Sequence, residues 1–128
     1  MKNIFFLFLA LLGFTVQSQS LTEKDISGTW IVVAIAESGT YPEEAKVMER
    51  AYFDLYPDHR FQLRMKSKNK TEKGYEAMYQ NYTWRFDPSA QTVYLSNDTF
   101  PIKINRENDK VYFELLETGI RLEVLRPM

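Results

Sequence analysis

The sequence contains no cysteine. That excludes disulfide staples, thiol catalysis and thiolate metal sites. It also excludes a lipid anchor attached to a cysteine after leader cleavage. Histidine occurs once, as His59 in a Tyr-Pro-Asp-His-Arg turn beside Asp58. One imidazole without companions makes no transition-metal site, and a lone turn histidine is expected to be solvated. No Gly-rich phosphate loop is present, and the Asp-Pro-Ser-Ala and Ser-Asn-Asp-Thr segments are turns rather than calcium loops. Charge of one sign is lacking too. Sixteen Lys and Arg against seventeen Asp and Glu leave a net −1, which excludes a global attraction to nucleic acid or anionic membrane. The carboxylates Asp54, Glu76, Glu114 and Glu123 lie on separate segments, mostly opposite in parity to the apolar series, so no acid–base pair is implied. No enzyme, catalytic residue, cofactor or metal site is expected.

Only one long apolar run exists, Ile4 to Val16, with Lys2 before it and small polar residues after it. This is the layout of a secretory leader, too short for a membrane span. Residues 1–18 are therefore expected to be a signal peptide and 19–128 a single domain, secreted or periplasmic. A domain of this size without disulfides must rest on packing alone.

The rest alternates with period two, the signature of half-buried strands. Ile26 to Glu37 is the first. Ala51-Phe53-Leu55 and Phe61-Leu63-Met65 set the inner faces of the next two. Tyr75 to Phe86 is read as one long fourth strand, with Tyr82, Trp84 and Phe86 inward and a bulge near Asn81 that would restore Tyr75, Ala77 and Tyr79 to the inside. Val93-Leu95, Phe100-Ile102-Ile104, Val111-Phe113-Leu115 and Ile120-Leu122-Val124 follow. Short polar turns separate them, and helical turns are expected only in Tyr41–Arg50 and in Leu-Thr-Glu-Lys-Asp. Eight sequential antiparallel strands imply an all-β up-and-down barrel, which has no exposed edge. A two-sheet sandwich is the alternative.

Ser-Gly-Thr-Trp, residues 27–30, opens the first strand. With the meander and the leader, it resembles the Gly-x-Trp signature of the lipocalins and the wider calycin group, specifically their compact bacterial secreted type. The Tyr-Pro-Asp-His-Arg turn departs from the second signature of that family. The resemblance implies a late arginine over the tryptophan. Strand parity independently points Arg126 inward at the end marked by Trp30. Gly28, Trp30 and Arg126 are expected to form a structural plug at this bottom end, the glycine allowing close approach and the guanidinium lying on the ring.

The first strand then thins upward, Trp30, Val32, Ala34, Ala36. Ala51 starts the second strand at the same upper level. Packed interiors do not tolerate voids cheaply, so small residues at one end mean either bulky fillers or a cavity. The expected ligand wall is Ala34, Ala36, Ala51, Phe53, Leu63, Met65, Tyr82, Trp84, Phe100, Phe113 and Leu115. The expected partner is a small apolar molecule: a fatty acyl, isoprenoid or flat aromatic compound. The basic segment Lys66–Lys73 would steer a carboxylate head. The competing reading is a filled barrel that binds a protein through its top loops, helped by the outward tyrosines Tyr52, Tyr56, Tyr94 and Tyr112.

Overall fold

The computed structural model describes residues 20–66 and 69–127. The leader, its cleavage point after Ser18, and Ser67 and Lys68 of the basic segment lie outside these residues. Eight antiparallel strands form a closed barrel in sequence order. They are β1 (Gly28–Glu37), β2 (Tyr52–Leu55), β3 (Arg60–Arg64), β4 (Tyr82–Asp87), β5 (Thr92–Leu95), β6 (Thr99–Glu107), β7 (Lys110–Leu115) and β8 (Ile120–Leu125). Pairing of β8 back onto β1, from Ile31 with Leu125 onward, makes this a barrel and not a sandwich. Helices α1 (Glu23–Ile26), α2 (Pro42–Val47) and α3 (Lys70–Met78) lie outside the sheet. Among the described residues no helix is long and apolar enough to cross a membrane.

Alternation builds the core directly. In β3, Phe61 and Leu63 are buried while Arg60 and Gln62 are exposed. The inward aromatics form a column. Trp30 meets Phe113 with ring centroids 5.7 Å apart, Phe113 meets Phe53 at 5.5 Å, Phe53 meets Phe61 at 6.1 Å, and Phe61 meets Tyr79 at 6.1 Å. All are tilted or edge-on, the arrangement the ring quadrupole favours, at about 0.5–1.5 kcal/mol per pair beyond area burial.

Two expectations about the upper barrel are corrected. The first concerns Tyr75 to Tyr79: Tyr75 to Met78 is helical and not extended, and Tyr79 is the C-cap of that helix. Asn69 caps α3, its side chain accepting the Glu72 N–H at 2.8 Å, and lysine, glutamate, alanine and methionine favour helix over strand. No bulge restores the strand. Asn81 instead takes a left-handed φ of 63° before β4 begins. Ala77 is exposed, whereas Tyr75 and Tyr79, one helical turn apart, pack against the core. Glu76 ties the helix to the sheet by accepting the Met65 N–H at 2.6 Å.

The second concerns the alanines. Val32 pairs with Val124, and the next pairs are Ala34 with Glu123 and Ile35 with Leu122. β1 has advanced two residues while β8 advanced one, so Val33 is the extra residue of a bulge. Parity reverses there. Ile35 packs on the core, Ala34 stands opposite outward Glu123, and Ala36 is exposed. The alanine taper therefore does not run along the inner wall. Ile26, expected in the first strand, ends α1 and is fully buried.

On the outside, each of the four outward tyrosines lies under an arginine: Tyr56 under Arg60 at 4.7 Å, Tyr52 under Arg64 at 4.5 Å, Tyr94 under Arg85 at 4.5 Å and Tyr112 under Arg121 at 3.9 Å. Every one of these arginines also pairs with a carboxylate, namely Asp58, Asp54, Asp98 and Glu107. The Asp54 carboxylate is buried by this arrangement, and it accepts Thr29 Oγ1 at 2.7 Å and Arg64 Nε at 2.6 Å.

Candidate functional site

The bottom end is sealed. Trp30 Nε1 donates to the Ile26 carbonyl at 2.9 Å, and the Arg126 guanidinium sits 4.3 Å from the Trp30 ring centroid. Arg126 also donates to the Ser27 carbonyl at 2.7 Å and to the Asp25 carbonyl. Burial pulls the guanidinium below its ordinary pKa, with Asp25 opposing. Gly28 is needed twice over. Its φ is +118°, and a Cβ there would stand 2.5 Å from Arg126 Nη1. α1 closes the floor. A capping box between Thr22 and Asp25 starts it, Glu23 meets His59 Nε2 at 2.8 Å, and the Gln91 side chain clasps both the N–H and the carbonyl of Leu21, at 2.8 and 3.0 Å. His59 is thus paired, not simply solvated as expected.

The mouth is different. Beneath α2 and the end of α3 lies an apolar cavity of about 130 Å³. Phe53, Phe61, Leu63, Leu95, Ile102 and Leu115 form its walls, Met48, Met78 and Tyr79 cover it from the helical links, and Phe100 and Pro101 cover it from the start of β6. Glu44, Glu117 and Thr118 complete the lining. Apolar cavities of ~150 Å³ stay dry and accept benzene, so this one suits a ring or a short branched alkyl group.

The structure brings together four of the expected wall residues: Phe53, Leu63, Phe100 and Leu115. The others fall elsewhere. Tyr82 backs the cavity from outside its lining, 5.3 Å from Tyr79 and 6.1 Å from Phe100 between ring centroids. Phe113 lies below, in the aromatic column. Trp84 is at the bottom, its Nε1 donating to the Tyr56 carbonyl at 2.9 Å and its ring 5.1 Å from that of His59. Met65 and Ala51 are buried outside the lining. Ala51 instead holds the sheet, its carbonyl accepting the Val32 N–H at 2.9 Å. Ala34 and Ala36 are off the inner face for the reason given above.

Met48, Met78, Glu44 and Glu117 escaped the strand reading because they sit on helices and turns, and Tyr79, expected inward on a bulged strand, reaches the cavity from the end of α3 instead. Two spacings could have found them: Glu44 and Met48 are four residues apart after a helix-starting proline, and so are Tyr75 and Tyr79. No described residue of the basic segment is in the cavity lining. Lys66 and Glu72 line a separate depression with Lys46, Val47, Glu49 and Arg50, so these two residues lend no geometric support to steering a carboxylate.

Two features mark the mouth as specialised. Asn97, Asp98 and Phe100 all have positive φ, at 59°, 59° and 46°. For a bulky aromatic that backbone is an outlier, and such strain gathers at ligand clamps. Here it turns the Phe100 ring toward Tyr79, with centroids 5.4 Å apart. Burial pushes the Tyr79 phenol up to about 12, with the Glu44 carboxylate adding to the effect and Glu117 adding less.

Tyr79 also fills a seam. β3 and β4 pair only through Arg60–Thr83 and Phe61–Tyr82. Above them opens a side groove lined in part by Gln62, Arg64, Glu76 and Gln80, which shares Phe61, Leu63 and Tyr79 with the cavity.

Among the described residues no group of three or more His, Asp and Glu is placed to hold a metal. No protein-family model, no curated protein and no solved structure matches this chain.

Proposed function

We propose that the protein is a secreted, non-enzymatic, lipocalin-like binding protein that takes one small apolar group into the mouth of its barrel. The observation that carries this is the apolar cavity at the helix-covered end, opposite a sealed floor. Gly28, Trp30 and the stacked Arg126 in a closed eight-stranded meander support the lipocalin-like reading, and the Ile4–Val16 leader supports export. A cavity of about 130 Å³ narrows the ligand to a benzene-sized ring or a short branched chain. A long acyl chain or an isoprenoid would have to displace Tyr79 or Phe100. The alternative, a filled barrel that binds a protein partner through its top loops, loses the support of the outward tyrosines, because each ring is already covered by an arginine.

Titration with benzene, followed by NMR shifts and melting temperature, tests the proposal. Wild type should show saturable shifts of methyls around the cavity and a rise in melting temperature. Leu115→Trp should stay folded and lose both, while Ala34→Trp, on the other face of β1, should keep them. Absence of any saturable response in the wild type would remove the binding reading. Export is checked separately by the mass of the protein outside the cytoplasm, which should lack the first ~18 residues.

A further inference from the structure

Several carboxylates of the barrel have cationic partners: Asp54 is held by Arg64, Asp58 by Arg60, Asp98 by Arg85 and Glu107 by Arg121. Glu44 and Glu117 are placed differently. Both line the mouth cavity, and neither has an ion-pair or hydrogen-bond partner among the described residues. Among the described residues the lining contains no lysine, arginine or histidine. Four aromatic rings share it, those of Phe53, Phe61, Tyr79 and Phe100. Ring faces carry negative potential and attract organic cations, most effectively where water is displaced. The charge and the rings at this cavity thus act in one direction.

We infer that the mouth selects a small organic cation, an alkyl- or aralkyl-ammonium ion whose apolar body fills the cavity and whose charged head stays beside Glu44 and Glu117. This rests on the reading of the cavity as a ligand site and sharpens it to a charge class. A carboxylate of the same shape would meet two like charges and no counter-charge. A neutral molecule would fill the space but leave the two carboxylates unpaired. The volume limits the apolar body to about one phenyl ring.

Three probes of matched shape test the inference by calorimetry or NMR titration at low ionic strength: 2-phenylethylammonium, 2-phenylethanol and 3-phenylpropionate. The cation should bind roughly fivefold or more tightly than the alcohol, the scale of one or two partly exposed ion pairs, and the carboxylate should bind least. The double variant Glu44→Gln, Glu117→Gln should abolish that preference, so that the cation and the alcohol bind it with affinities within about twofold of each other. Raising salt to about 0.5 M should shrink the preference in wild type and leave the variant unchanged. Equal binding of alcohol and cation would overturn the charge selectivity and leave the apolar site standing. Tightest binding of the carboxylate would overturn it as well. Failure of all three probes, with benzene also inactive, would overturn the site itself.

Discussion

Beneath the barrel, α1 and Leu21 just before it are fastened to the β2–β3 turn through His59, to the β4–β5 turn through Gln91 and to the C-terminal end through Arg126. Above it, α3 has no buried residue, Phe100 is held at positive φ and the lining includes two carboxylates without partners among the described residues. The same strands supply both ends, so the contrast arises from the connections. Short turns at the bottom put backbone donors and acceptors within reach of one another, and they are used. Long links at the top leave room for helices, strain and a void. Stability is therefore expected to be greater at the floor than at the mouth. Scaffolds that carry binding residues on links above a rigid base divide labour in this way.

Breaking the floor should have the largest effect. Trp30→Ala should lower unfolding free energy by about 3–5 kcal/mol, read from denaturant midpoints. Phe100→Ala at the mouth should lose less than about half of that, because its ring is only half-buried and borders an existing void. Pairing Trp30→Ala with Arg126→Ala should give a non-additive coupling of about 0.5–2 kcal/mol, the range of a cation–π contact. Additive losses would mean the stacked geometry contributes nothing.

Gly28→Ala should come next, at about 1–3 kcal/mol from the forced φ, with Arg126 displaced as well. A crystal or NMR structure of the variant should show the guanidinium off the Trp30 ring. A variant as stable as wild type would contradict the account of the plug.

The smallest effect belongs to the mouth and is visible only in alkali. The unfolded Tyr79 phenol ionises near 10, and the folded one keeps its proton to about 12. A pKa raised by folding means that stability is intact below pH 10 and is lost as pH climbs from there through about 12. Tyr79→Phe should flatten that alkaline loss relative to wild type while melting curves at neutral pH change little. Identical alkaline curves would show that the phenol is not held in the buried environment described.

The barrel was legible because period-two alternation is a direct imprint of which face is buried, and the eight apolar series mark the strands with little ambiguity. Trp30 and Arg126 were legible for the same reason, since parity counts survive wherever the ladder is regular. They failed where it is not. A bulge at Val33 leaves no mark in a run of Ile-Val-Val-Ala-Ile-Ala, yet it turned Ala34 and Ala36 away from the interior. Tyr75 to Asn81 contains enough aromatics to pass for a strand. Its Asn69 cap and the four-residue spacing of Tyr75 and Tyr79 were the competing helical signal. Four of the eleven expected wall residues reach the cavity, all of them from regular stretches or the start of β6. Most of the residues that roof it come from the helical links, where the period is four and not two.

The seam between β3 and β4 has a consequence in time rather than in affinity. β6 and β7 are joined through six paired positions, from Ile102–Leu115 to Glu107–Lys110, whereas β3 and β4 are joined through two. Breathing of the closed sheet is therefore expected to concentrate there, beside Tyr79, which lines the groove above the two pairs. If the cavity takes a ligand as proposed, the opening frequency of that one joint would set how quickly a guest arrives and how long it stays.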